Sequence, residues 1–291
     1  MAVVNTNISA SIAQAALARN ERALSDAMEQ LSTGRKINSA SDNAAGLAIS
    51  TRMTSQIRGL DQAIRNANDA VSMIQTAEGA LDEITAMLQR MRELALQSGT
   101  GTTDSSDRSY LNAEFTALRT EIDRIADNTE WNGRAILNGN AGASTTTAGG
   151  LSAVTYQVGM NANQTISVTF GNFTDSTGSM SGLASKTLSA ATIGSAVTVA
   201  SGAVGELDLA MTAVSGQRAN FGATQNRLIH AVDNLTNVVT NAEVTRSRIM
   251  DTDYAEATSE LARTQIIQQA GTAMLAQANE LPATVLQLLQ G

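Results

Sequence analysis

One histidine, no cysteine and dispersed carboxylates leave this 291-residue chain short of the groups that catalysis needs. His230 stands beside Ile229 in a stretch of helical periodicity, and no serine or threonine bears a nucleophile-and-base relation to it. No cysteine exists, and no paired carboxylates at helical spacing point to a metal site, so none is expected. Glycines sit singly or in turns, and none forms a phosphate-cradling loop between a strand and a helix. The chain therefore reads as a non-enzymatic protein with no cofactor. A net charge of −8 without a basic tract argues against nucleic acid. Both chain ends are nearly free of charge, yet too polar in Ala, Gln, Asn and Thr to span a membrane. The absence of cysteine fits a reducing cytosol or a chain exported unfolded. The first residues lack a basic n-region and a clean apolar stretch, so secretion would need a route other than a conventional signal peptide.

What remains to explain is long-range periodicity. Met53, Leu60, Ala67, Ile74, Leu81, Leu88 and Ala95 fall seven apart, with Ile57, Ile64 and Val71, then Ile84, Met87, Met91 and Leu94, on a second line. This predicts a helical rod from about Ala44 to Ser98 that needs a long partner. Leu207, Val214, Phe221, Leu228, Leu235, Ala242 and Ile249 repeat at the same interval and supply one. Only one proline occurs, where average usage of about 5% would give roughly fifteen, which suits uninterrupted helices. Residues 8–31 predict an amphipathic helix with Leu17, Leu24 and Leu31 on its stripe, ended by Thr33-Gly34. Ser39 or Ser41 is expected to cap the rod. A third helix is expected from Ser106 to Ala126, returning antiparallel beside it.

Between the rods the composition shifts. Residues 141–205 hold one basic and one acidic group, against 13 and 17 in residues 1–140. Asn132-Gly133 and Asn138-Gly139 mark turns, and Val154–Val158 and Thr165–Phe170 alternate with period two around Gly159–Gln164, which predicts a β-hairpin. Asp175–Ser185 reads as loop, and Thr187–Ala203 is too weakly patterned to assign. The tail resumes helical spacing through Ile267, Ala270, Met274, Ala278, Leu281, Val285 and Leu288, with Pro282 expected to bend or restart it. The fold class is thus mainly α: long coiled-coil helices from both termini, with a small β-hairpin region in the middle.

Leu31-Ser32-Thr33-Gly34, Ile37 to Gly46, Arg65 to Asp69, Gln75 to Leu81 and Gln89 to Ala95 are similar to the amino-terminal signature of a known family, bacterial flagellin. Arg246 to Ile249, Asp253-Tyr254, Gln268 to Gly271 and Leu275 to Asn279 are similar to its carboxyl-terminal one. The likeness covers roughly residues 1–140 and 206–291. Trp131 stands where phenylalanine is common, Met91 and Leu96 where smaller aliphatics are, and the extended outer domain of larger members is lacking.

The resemblance implies a discontinuous inner domain, 1–43 plus 250–291, and a helical-rod domain, 44–249, with the Gly/Ser/Thr-rich excursion at 141–205. It implies a secreted subunit that polymerises into the extracellular flagellar filament used for swimming. Implied partners are further copies of the chain, hook-associated and cap proteins, an export chaperone and the flagellin-sensing Toll-like receptor of animals. Expected assembly seams are Leu17, Leu24, Leu31, Met53, Leu60, Leu228, Leu235, Ile267, Met274, Leu281 and Leu288. Gln89, Arg90, Leu94 and Glu114 match the family's receptor-contacting positions. With Ile84, Leu88, Met91 and Ala95 turned inward, Gln89, Arg90, Glu93 and Gln97 point outward. A hook-filament junction protein, which usually carries a much larger central region, and a secreted helical adhesin are the alternatives.

Overall fold

Two pairs of long helices arise because apolar stripes this long cannot be buried by short elements. The computed structural model describes residues 7–141, 146–147, 151–174, 178–183, 185–188 and 193–290, with only the backbone described for 146–147, 151, 193–194 and 281–290. The described residues form five α-helices: α1 Ile8–Thr33, α2 Ala40–Ser98, α3 Ser105–Asn128, α4 Ile193–Met250 and α5 Tyr254–Gln290. By packing the chain divides into one unit of Met1–Ile57 with Thr240–Gly291 and another of Arg58–Val239, so α2 and α4 each contribute to both.

In the first unit, α1 and α5 lie antiparallel. Asn7 caps α1 by accepting from the Ala10 N–H at 3.0 Å, and its own amide donates to the Ala278 carbonyl at 2.7 Å. Further along, buried Asn20 donates to the Thr264 carbonyl at 2.7 Å. Gly34, at φ +69°, ends α1 in the left-handed conformation that glycine adopts without Cβ strain. The two linkers then pair. Lys36 N–H donates to the Met250 carbonyl at 2.6 Å and Thr252 N–H to that of Gly34 at 3.1 Å, flanking an Arg35–Asp251 bridge.

The start of α2 differs from the expected serine cap. Asn43 is extended (φ −164°, ψ 95°) and its side chain accepts from the Gly46 N–H at 2.8 Å, so Asn43 caps the continuous rod. Ser39 begins only the preceding turn, where Asp42 accepts from the Ser39 and Asn38 N–H groups. Of the bend or restart expected at Pro282, the restart does not occur: α5 is one continuous helix, Tyr254–Gln290.

The second unit is organised by the seam. Leu60, Ala67, Ile74, Leu81, Leu88 and Ala95 of α2 are all at most 4% exposed, as are Leu207, Val214, Phe221 and Leu228 of α4. Arg92–Asp208 and Arg218–Asp82, each at 2.9 Å, show that α4 runs antiparallel to α2 here. By length and composition α4 could cross a membrane; its seam is buried in the protein's own core from Leu207 to Leu228 and only half-covered at Leu235, Ala242 and Ile249. α4 starts well before the sequence pattern becomes legible, because Ala196, Ala200 and Ala203 bury a face with methyl groups alone. Asp104 and Asp107 form a reciprocal capping box on α3. A minimal hairpin, β1 Glu130–Trp131 with β2 Arg134–Ala135, turns at Asn132-Gly133, both at positive φ. A three-stranded sheet follows in the order β3 (Thr146–Thr147), β4 (Leu151–Gln157), β5 (Thr165–Phe170). Ile166, Val168 and Phe170 face the helices and Thr165, Ser167 and Thr169 face out, the alternation of a half-buried strand. Two amides fasten the sheet: Asn66 donates to the Gln157 carbonyl at 3.0 Å and buried Gln217 to that of Thr169 at 2.7 Å. The Phe170 and Phe221 rings pack at 5.2 Å between centroids. Ser181–Leu183, expected as loop, holds a single 3₁₀ turn.

Candidate functional site

The α1·α5 pair buries little of its own apolar surface. Two helices meeting along one line cover mainly small and polar residues: Asn20, Ala27, Ala257, Thr264 and Ala278. Gly271 permits the close approach, since a Cβ there would lie 2.9 Å from Leu17 Cδ2. Left uncovered are Ile8, Ile12, Met28, Ile266, Ile267 and Met274, at 41 to 67% exposure. Ile12, Leu17, Ile267, Gly271 and Met274 line an open groove of ≈ 410 Å³ in which Ser9 is the only polar side chain. No charged residue precedes Arg19, and Glu280 alone follows Arg263. Such a face is an apolar surface awaiting a cover.

The expected seam residues whose side chains are described separate into three groups. Ile267 and Met274 lie on that exposed face, while Leu17, Leu24, Leu31, Met53 and Leu235 are half-covered. Leu228 (0% exposed) and Leu60 (4%) are corrections: Leu228 is part of the core cluster of the second unit, Leu60 is buried within the subunit, and neither side chain is available to another copy. Leu281 and Leu288 lie outside the described side chains.

The second candidate surface lies on α2 and α3. The Arg90 guanidinium donates from Nε to Glu114 at 2.9 Å and from Nη1 to Glu93 at 3.1 Å. These hydrogen bonds, Glu114 first, hold its pKa above the ordinary arginine value. All three side chains are roughly half exposed or more. Gln89 and Gln97 are exposed as well. Leu94 is not: it is fully buried, because the second seam line carries it inward with Ile84 and Met91. Leu94 can only shape this surface from beneath. Glu114 entered through the resemblance alone; its pairing with Arg90 has no signal in the local spacing of α2 and comes from the contact between helices.

Among the described residues no group of side chains could hold a metal ion. His230 is exposed on α4.

The model of the bacterial flagellin N-terminal helical region matches residues 4–142, and that of the C-terminal helical region matches residues 204–289. A flagellin of Halalkalibacterium halodurans is 43% identical over 288 residues, covering 99% of this chain and 100% of that protein. Flagellin A of Vibrio anguillarum is 37% identical over 375 residues, covering 99% of each. Among solved structures, a putative flagellar hook-associated protein from Vibrio parahaemolyticus matches with a TM-score of 0.58 at 15% identity, over 72% of this chain and all of that one. That likeness concerns the fold alone.

Proposed function

The chain belongs to the bacterial flagellin family, and from that premise we propose that its α1·α5 face is the surface through which copies polymerise. The role itself, subunit of the extracellular flagellar filament that drives motility, follows from the family. One observation supports the assignment of the surface: six large apolar side chains are exposed on a two-helix pair that cannot bury them alone. Six such side chains carry apolar surface whose burial stabilises by roughly 25 cal/mol per Å². A second copy supplies that burial. Two helices of this kind are marginal in isolation, so docking also orders them. The expected inner layer, 1–43 with 250–291, is built from these helices, and structural rather than enzymatic work follows from it.

Deleting residues 264–291 tests the assignment. The truncated protein is expected to stay monomeric at concentrations where the full chain polymerises, with thermal unfolding of the second unit unchanged. Filaments of normal width from the truncated protein would refute it.

Secretion, hook-associated and cap proteins and an export chaperone complete the proposal, since a subunit added to an external filament must be carried out, started on a base and held at the tip. We assign the exposed Arg90, Glu93 and Glu114 cluster, with Gln89 and Gln97, to the animal flagellin-sensing receptor. Its support is the match of Gln89, Arg90 and Glu114 to the family's positions and the exposure of all five residues.

A further inference from the structure

We infer that Met274 is an oxidation-sensitive switch on polymerisation: a peroxide converts its thioether to the sulfoxide, and the oxidised subunit no longer docks. The inference rests on the reading of the α1·α5 face as the assembly surface. Among the described methionines, Met73, Met91 and Met180 are buried and Met53, Met87, Met211 and Met250 are partly covered. Only Met28 (57%), Met160 (44%) and Met274 (67%) are exposed. Access governs methionine oxidation, so these three react first. Met274 alone among them lines the apolar groove, beside Ile12, Leu17 and Ile267.

The reaction balances without any further group. A lone pair on Sδ attacks one oxygen of hydrogen peroxide, the O–O bond breaks as the S–O bond forms, and proton transfer releases the other oxygen as water. Sulfur loses two electrons and the peroxide gains them. The product carries a strongly polar S–O group where a second copy must make dry contact, and Ser9 is the only side-chain donor in the groove. A polar group buried without a partner weakens docking about tenfold or more. Docking in turn covers Met274, so the switch acts on the unassembled subunit and leaves the formed filament protected.

The test uses full-length Met28→Leu/Met160→Leu protein, in which Met274 is the remaining exposed thioether among the described residues. Monomer is treated with hydrogen peroxide, mapped by peptide mass spectrometry and polymerised over a concentration series. Expected are sulfoxide at Met274, a critical concentration raised about tenfold or more, and recovery after treatment with methionine sulfoxide reductase. Preformed filaments should keep Met274 reduced, and the triple variant adding Met274→Leu should polymerise equally well with and without peroxide. Mapped Met274 sulfoxide with an unchanged critical concentration overturns the switch, as does equal inhibition of the triple variant. If the triple variant fails to polymerise at all, reductase rescue of the double variant decides, and no recovery overturns the proposal. Met274→Asp without peroxide separates the two readings. Normal polymerisation of Met274→Asp removes the assembly assignment itself, whereas a block by aspartate but not by the sulfoxide removes only the switch.

Discussion

Leu228→Asp compared with Arg227→Asp places neighbouring residues of α4 on opposite sides of one decision. Leu228 is 0% exposed within the core cluster, while Arg227 is exposed and makes no ion pair among the described residues. Removing the leucine side chain costs about 2–5 kcal/mol, the span seen for large-to-small changes in packed cores. Leaving a polar group there without a partner adds about 1–3 kcal/mol even after the carboxyl takes up a proton. The sum, roughly 3–8 kcal/mol, is a large share of the 5–15 kcal/mol that holds an ordinary domain together. For a unit of this size each kcal/mol moves the midpoint by about 2–4 °C, so Leu228→Asp should lower Tm by at least about 6 °C. Arg227→Asp, an exposed change, should stay within about 0.5 kcal/mol, a shift of no more than about 2 °C. Thermal unfolding of both monomers by circular dichroism measures the difference. Equal losses of Tm would refute the placement of the seam.

Arg90→Ala should reduce receptor activation by the monomer about thirtyfold, as arginine anchors do when truncated, while the loss of its solvent-screened ion pairs leaves the melting temperature essentially unchanged; unchanged potency would return Arg90 to a solvated face. Gly34→Ala forces a side chain into the left-handed region, with Tyr254 Oη 3.1 Å from the new Cβ, and should cost about 1–2 kcal/mol. Hydrogen exchange at the Lys36 and Thr252 amides should quicken in Gly34→Ala, and unaltered protection would show that the linker pairing does not depend on this residue. Backbone N–H bonds from Ser39, then Asn38, hold the Asp42 carboxyl below its ordinary value of 3.8. With the folded pKa depressed, the contribution of Asp42 is present above 3.8 and is lost as pH falls through the lower folded value. Titration of the Asp42 carboxyl carbon by NMR should show a midpoint below 3.8, and one at or above it would contradict the turn geometry.

Periodicity revealed the elements that bury large side chains. Leu60 to Ala95 and Leu207 to Leu228 repeat every seven residues and are buried on that schedule. Strand β5 follows the same logic, since Ile166, Val168 and Phe170 alternate with hydroxyl residues. Legibility failed where small residues carry the packing. The first three turns of α4 bury Ala196, Ala200 and Ala203, which no hydrophobic pattern distinguishes from the loop before them. It failed again where sevenfold spacing alone had to separate core from assembly surface. Leu228 and Met274 share the same periodic signature, yet one is sealed inside the subunit and the other is exposed. What tells them apart is how many helices surround each, a property of tertiary structure. Arg90 shows the same limit, because its partner Glu114 stands 24 residues away on another helix.

The paired linkers tie together the fates of the two ends of the chain. The last turn of α1 and the first of α5 are separated by more than two hundred residues, yet they are joined through the bonds of Lys36 to Met250 and of Thr252 to Gly34. Fraying of either helix at that level breaks these shared bonds, so order at the end of α1 and at the start of α5 is thermodynamically coupled across the length of the sequence.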